Sequence, residues 1–128
     1  MNAPQRQPPR VLVVDDDDRL VGAISDVLDD HGYQSAGARD GHAAIQKLGA
    51  GYSPDVIVLD VEMPHMDGCE FLEWIRQNGF DTPVVLATLA DECNAEELGA
   101  VVKLSKPFTI EQLLDAIAIA SNVKRTRR

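Results

Sequence analysis

Apolar positions along this chain follow two different periods. Near-continuous runs, VLVVD from Val11, DVIVLD from Asp55 and TPVVLAT from Thr82, read as strands buried on both faces, with YQSAG and AVVKL as weaker strands. Between them the spacing turns helical. Leu20, Ile24, Val27, Leu28 and His31 share a face and stop at Gly32. Asp40 can cap a second helix that carries Ala44, Ile45 and Leu48 and runs out at Gly49 and Gly51. Asp67 can cap a third, with Phe71, Leu72 and Ile75 inward, closing at Asn78 and Gly79. A last helix from Thr109 is predicted to bury Ile110, Leu113, Leu114, Ile117 and Ala120.

Strand and helix alternating in this way predict an α/β fold. It is a doubly wound (βα)5 unit, a five-stranded parallel sheet with helices on both faces, because parallel strands need right-handed crossovers. In such sheets, sites form at the carboxyl ends of the strands, near the point where strand order reverses. The first strand ends in Asp15 and Asp16, the third in Asp60 and the fourth in Thr88; Lys106 follows the fifth, before Pro107. All of them fall at one edge. A single aspartate there is adequately explained as a helix cap, and Asp18 is read as the cap of the first helix, with Asp17 as first-turn charge that suits the helix dipole. The set as a whole is not explained that way.

Two carboxylates about 4 Å apart repel by roughly 4 kcal/mol at an effective dielectric of about 20. A converging cluster therefore needs a cation. Oxygen ligands from two or three carboxylates, with room left for waters and a phosphoryl group, suit Mg²⁺ better than zinc or a fully caged Ca²⁺. The spacing also lacks the Gly and the last Glu of an EF-hand loop.

The stretches VLVVDDD and DVIVLDVEMPHMDG, a Thr ending the fourth strand, LGA before the fifth and KPF after it together resemble the receiver domain of two-component response regulators, in particular the stand-alone chemotaxis-regulator type. The match runs from Val11 to about Ser121. The resemblance implies a flavodoxin-like fold. It also implies that Asp60 is the phosphoacceptor, that Asp16 and Asp60 bind Mg²⁺ directly and Asp15 mostly through water, and that Glu62 offers its backbone carbonyl. Lys106 would pair with one phosphoryl oxygen, the Thr88 hydroxyl would hydrogen-bond another, and the Lys106–Pro107 peptide bond would be cis. Pro64 and Gly68 would shape the loop after Asp60. The partners implied are a sensor histidine kinase or phosphotransfer protein and a downstream protein target. The chain is expected to be no enzyme toward a separate substrate, but a phosphoacceptor that assists its own phosphorylation and dephosphorylation.

Three departures from the family pattern stand out. Lys103 occupies the position where the family usually carries the aromatic residue that turns inward on activation. Leu89 stands where a small residue is usual, and is expected to restrict small phosphodonors and water and so lengthen the phosphorylated state. The stretch LADECNAEEL is shorter than usual by roughly one helical turn, so the helix between the fourth and fifth strands is expected to be short or irregular, and strongly acidic through Asp91, Glu92, Glu96 and Glu97.

Composition and charge narrow the rest. With 128 residues, 45% of them hydrophobic, the chain is the size of one domain. The expected division is a disordered leader over 1–10, the folded unit over 11–121 and a basic tail over 122–128. Six of the 12 basic residues sit in the two ends while all 21 acidic ones lie between Val11 and Val123, which leaves that body a net charge of −15. Such a body repels phosphate backbones, so direct nucleic-acid binding by the core is not expected. The tail KRTRR is read as a solvated end, with a weak electrostatic handle or the start of a linker as the other readings. No apolar run approaches the roughly 18 residues of a membrane span, and the start lacks a secretion signal; a cytoplasmic location is expected. Cys69 and Cys93 lack metal or redox-motif spacing and are read as reduced thiols. His31, His42 and His65 are scattered and read as surface or boundary residues, and Phe71 and Trp74 as helix packing.

Two alternatives stay open at this level. One is a pseudo-receiver, a binding module that signals without phosphate, for which Lys103 and the shortened helix argue. The other is a small phosphohydrolase, since DDDDR contains the D-x-D of haloacid-dehalogenase-type phosphatases, with Asp15 as nucleophile; it predicts turnover of a phosphate ester that is lost in Asp15→Asn.

Overall fold

The computed structural model describes residues 8–63, 66–89, 99 and 102–126, with 123–126 as backbone only. Strands β1 (Arg10–Val14), β2 (Gln34–Ala38), β3 (Val56–Asp60), β4 (Val84–Thr88) and β5 (Val102–Ser105) form one parallel sheet in the order β2-β1-β3-β4-β5. Helices α1 (Asp18–Asp30), α2 (Gly41–Gly49), α3 (Gly68–Gln77) and α4 (Ile110–Thr126) pack on it. Strand order reverses between β1 and β3, where Val14 lies opposite Leu59, so the carboxyl ends of these two strands open the crevice where doubly wound sheets hold ligands.

The central strands are buried on both faces, and alternate residues feed two cores. Leu12, Val14, Ile57, Leu59 and Leu86 meet α2 and α3 through Ala44, Leu48, Phe71, Leu72 and Ile75. Val11, Val13, Val56, Val58 and Val85 meet α1 and α4 through Ile24, Leu28, Leu113, Ile117 and Ala120. The continuous apolar runs are thus the signature of a sheet covered twice.

Helix boundaries follow local chemistry. The Asp40 side chain accepts from Ala43 N–H at 2.8 Å. Asp67 forms a reciprocal capping box with Glu70. α1 ends at His31 and passes into Gly32, whose φ of +84° suits a residue without a Cβ.

Several expectations are corrected. Asp17, not Asp18, caps α1: its carboxylate accepts from the N–H groups of Arg19 and Leu20 while its own N–H donates to Asp15 at 2.9 Å. That turn starts the helix one residue early and leaves Asp18 as the first-turn charge. Ile110 is 55% exposed, because the first turn of α4 precedes the inward stripe of Leu113, Ala116, Ile117 and Ala120. Cys69 is disulfide-bonded rather than a reduced thiol. Sequence spacing reports metal and redox motifs but cannot see a bond that tertiary structure closes.

α4 continues to Thr126, past Ser121. Residues of its last turns, Ser121 and Asn122, line a cleft with Pro9, His31, Gly32 and Tyr33, so the start of β1 and the far end of α4 meet at the amino edge of the sheet. Pro64, His65, Cys93, the expected acidic helix between β4 and β5, residues 1–7 of the leader and residues 127–128 of the tail lie outside the described residues. No described helix is long and apolar enough to cross a membrane.

Candidate functional site

At the reversal point the chain leaves β1 through Asp15 and Asp16, and β3 ends in Asp60. One carboxylate oxygen from each of the three lies within 4.8 Å of the others. Asp15 and Asp60 are buried, at 6% and 3% exposure, while Asp16 is open to solvent. The adjoining backbone is tightly held. Gly68, the first residue of α3, donates its N–H to Val61 O at 2.9 Å, and a Cβ there would sit 2.5 Å from Asp60 O and 2.7 Å from Val61 Cα. Only glycine allows this approach, which fixes the turn behind Asp60.

Charge is strained in this cluster. Burial first, then the neighbouring carboxylates of Asp60 and Asp16, push the Asp15 pKa up to about 6, against the opposing Asp17 N–H and Lys106. Burial likewise raises the pKa of Asp60, in spite of the ammonium of Lys106 and the N–H of Glu62. Lys106 supplies the local counter-charge: its ammonium donates to Asp60 Oδ1 and stands 3.6 Å from Glu62 Oε1. Burial works against that ammonium, but Asp60, Asp15 and Glu62 outweigh it and hold its pKa above the ordinary lysine value. Among the described residues, one cation against this many carboxylates leaves the pocket net negative, and an all-oxygen donor set of this kind fits Mg²⁺.

Thr88 ends β4, buried, and its backbone carbonyl accepts from Lys106 N–H at 2.9 Å. The Lys106–Pro107 peptide bond is cis. The six residues assigned to the site from the sequence, Asp15, Asp16, Asp60, Glu62, Thr88 and Lys106, thus lie at one edge. On β5, Lys103 pairs in register with Leu86 of β4 and is exposed. Leu89 is 70% exposed beyond the end of β4.

The reading from sequence missed the side chain of Glu62. Its Oε2 accepts from the Thr88 hydroxyl at 2.7 Å, and its Oε1 from Leu89 N–H at 3.1 Å. Burial opposes its charge, but these donors and Lys106 outweigh burial and hold its pKa below the ordinary value. The available signal was its place two residues beyond Asp60, a spacing that returns a side chain to the same side of an extended segment.

The profile of the response regulator receiver domain matches residues 11–118. The response regulator MprA of Mycolicibacterium vanbaalenii is 38% identical over 111 residues, covering 84% of this chain and 48% of the relative. The chain thus spans about half the length of that relative. Among solved structures, the receiver domain of the Francisella response regulator 1452 superposes with a TM-score of 0.83 at 32% identity, covering 93% of this chain and 99% of the other. The response regulator TrrA of Thermotoga maritima, in complex with Mg²⁺ and BeF, gives a TM-score of 0.77 at 27% identity, covering 88% and 98%.

Proposed function

The chain belongs to the response regulator receiver domain family, and from that premise we propose that it is a phosphorylation switch. It accepts a phosphoryl group from a sensor histidine kinase, or a phosphotransfer protein, onto Asp60 with Mg²⁺, and signals through phosphorylation-dependent contacts with another protein. What carries the reading is the buried Asp60 carboxylate, grouped with Asp15 and Asp16 and held by Lys106 at the reversal point of the sheet.

An Asp60 oxygen attacks the phosphorus of a phosphohistidine. The O–P bond forms as the P–N bond breaks, and the imidazole leaves and takes up a proton. Asp15, Asp16, Asp60 and the Glu62 carbonyl would hold the metal, which would neutralise charge on the transferring group. Lys106 and the Thr88 hydroxyl take phosphoryl oxygens, and the turn fixed by Gly68 keeps Asp60 in place. Residues 11–121 form the functional unit, and a cytoplasmic location goes with it. No separate substrate is turned over.

The test is intact-mass analysis after incubation with Mg²⁺ and a small acyl phosphate. Wild type is expected to gain one phosphoryl group, and Asp60→Asn and chelator-treated samples none. If wild type gains none, a phosphorylated histidine kinase replaces the small donor, since Leu89 is expected to hinder small donors. Failure there as well would leave the pseudo-receiver as the better reading.

A further inference from the structure

The proposed phosphotransfer uses only the backbone of Glu62, yet its side chain sits at the centre of the site. Two hydrogen-bond donors and one ion-pair partner converge on that one carboxylate: the Thr88 hydroxyl at 2.7 Å and Leu89 N–H at 3.1 Å donate to it, and the Lys106 ammonium pairs with it at 3.6 Å. Thr88 and Lys106 are the groups assigned above to phosphoryl oxygens. The Leu89 amide also donates toward Oε2, at 3.3 Å, so both carboxylate oxygens are engaged. Asp60 lies alongside, sharing Lys106 with Glu62 and accepting from Glu62 N–H at 3.3 Å. A threonine hydroxyl has one proton to donate. It cannot serve Glu62 and a phosphoryl group on Asp60 together.

We infer that the Glu62 carboxylate is a built-in competitor, an internal anion that fills the phosphoryl pocket of the unphosphorylated protein and must swing out before a phosphoryl group can be seated. The inference rests on the phosphoacceptor reading of Asp60. It makes Glu62 a gate on donors: an incoming group must displace a hydrogen-bonded carboxylate rather than water. Once displaced, Glu62 gives up the Leu89 amide together with the Thr88 hydroxyl.

The test is titration of beryllofluoride, a phosphoryl mimic, at saturating Mg²⁺, followed by fluorine NMR on wild type, Glu62→Ala, Glu62→Asp and Asp60→Asn. None of these changes removes the Glu62 backbone carbonyl. A pocket filled by its own anion about nine-tenths of the time weakens apparent affinity about tenfold, so Glu62→Ala is expected to bind about tenfold more tightly. Glu62→Asp keeps the charge but is one methylene too short to reach both the Thr88 hydroxyl and Leu89 N–H, and is expected to group with Glu62→Ala. If it groups with wild type, charge repulsion alone is at work and the inference is overturned; unchanged affinity in Glu62→Ala overturns it too. Amide exchange of Leu89 without beryllofluoride gives an independent readout, expected to be slow in wild type and faster in both Glu62 variants. Equal exchange in all three would overturn the inference. Should no variant with Asp60 intact bind beryllofluoride, the phosphoacceptor reading fails and the competitor role falls with it, while Leu89 exchange still reports whether Glu62 fills the pocket.

Discussion

Asp15 differs from the three aspartates that follow it because it alone of them is buried. Its pKa, raised from 3.8 to about 6, means that the metal-free folded protein holds that proton more tightly than the unfolded chain does. Across this window the folded state binds more protons than the unfolded state, so this contribution to stability is lost as pH rises and stays lost above it. Bound Mg²⁺ offsets the penalty. Melting temperature should therefore differ little between Mg²⁺ and chelator at about pH 4, and the gap should widen to its full size by about pH 7. Asp15→Asn is expected to flatten that dependence, and a gap independent of pH in wild type would contradict it. At the neighbouring turn, Gly68→Ala forces a methyl group against the backbone of Asp60 and Val61. A cost of about 1–3 kcal/mol is expected in denaturant unfolding, with slower phosphorylation because Asp60 is displaced. Retained stability and rate would show that the turn relaxes freely.

The helix starts show how far local sequence carries. Asp40 and Asp67 were legible as caps because each stands alone before an apolar period, with Glu70 completing the box for Asp67. The start of α1 was not legible, since four successive aspartates all qualify and a turn closed by Asp15 on Asp17 selects among them. Denaturant melts can check the assignment. Asp17→Ala should cost about 1 kcal/mol as a lost cap, and Asp18→Ala only a few tenths as a lost dipole partner. Equal costs would overturn it. Ile110 misled for another reason: the apolar period extends one turn beyond the part of α4 that meets the sheet. Periodicity reports a stripe, and the sheet decides how much of the stripe is covered.

At the scale of the whole molecule, the two cores share the same strands, so losing either should unfold both. Phe71→Ala on one face is expected to cost about 3–5 kcal/mol and Ile117→Ala on the other about 2–5 kcal/mol. Each should keep a single transition in which Trp74 fluorescence and circular dichroism coincide; separate transitions would show that the faces unfold independently. Strand ends were enough to place Asp15, Asp60, Thr88 and Lys106 at one edge, because topology fixes where strands finish. The meeting of Glu62 with Thr88, Leu89 and Lys106 was hidden, since it joins three loops and depends on where side chains turn after their strands end. The cleft shared by Pro9, Ser121 and Asn122 lies at the edge of the sheet away from these loops. A sensor chip or optical probe attached at the exposed Asn122 would therefore hold the molecule with its acidic pocket facing the liquid, ready to meet a kinase in flow.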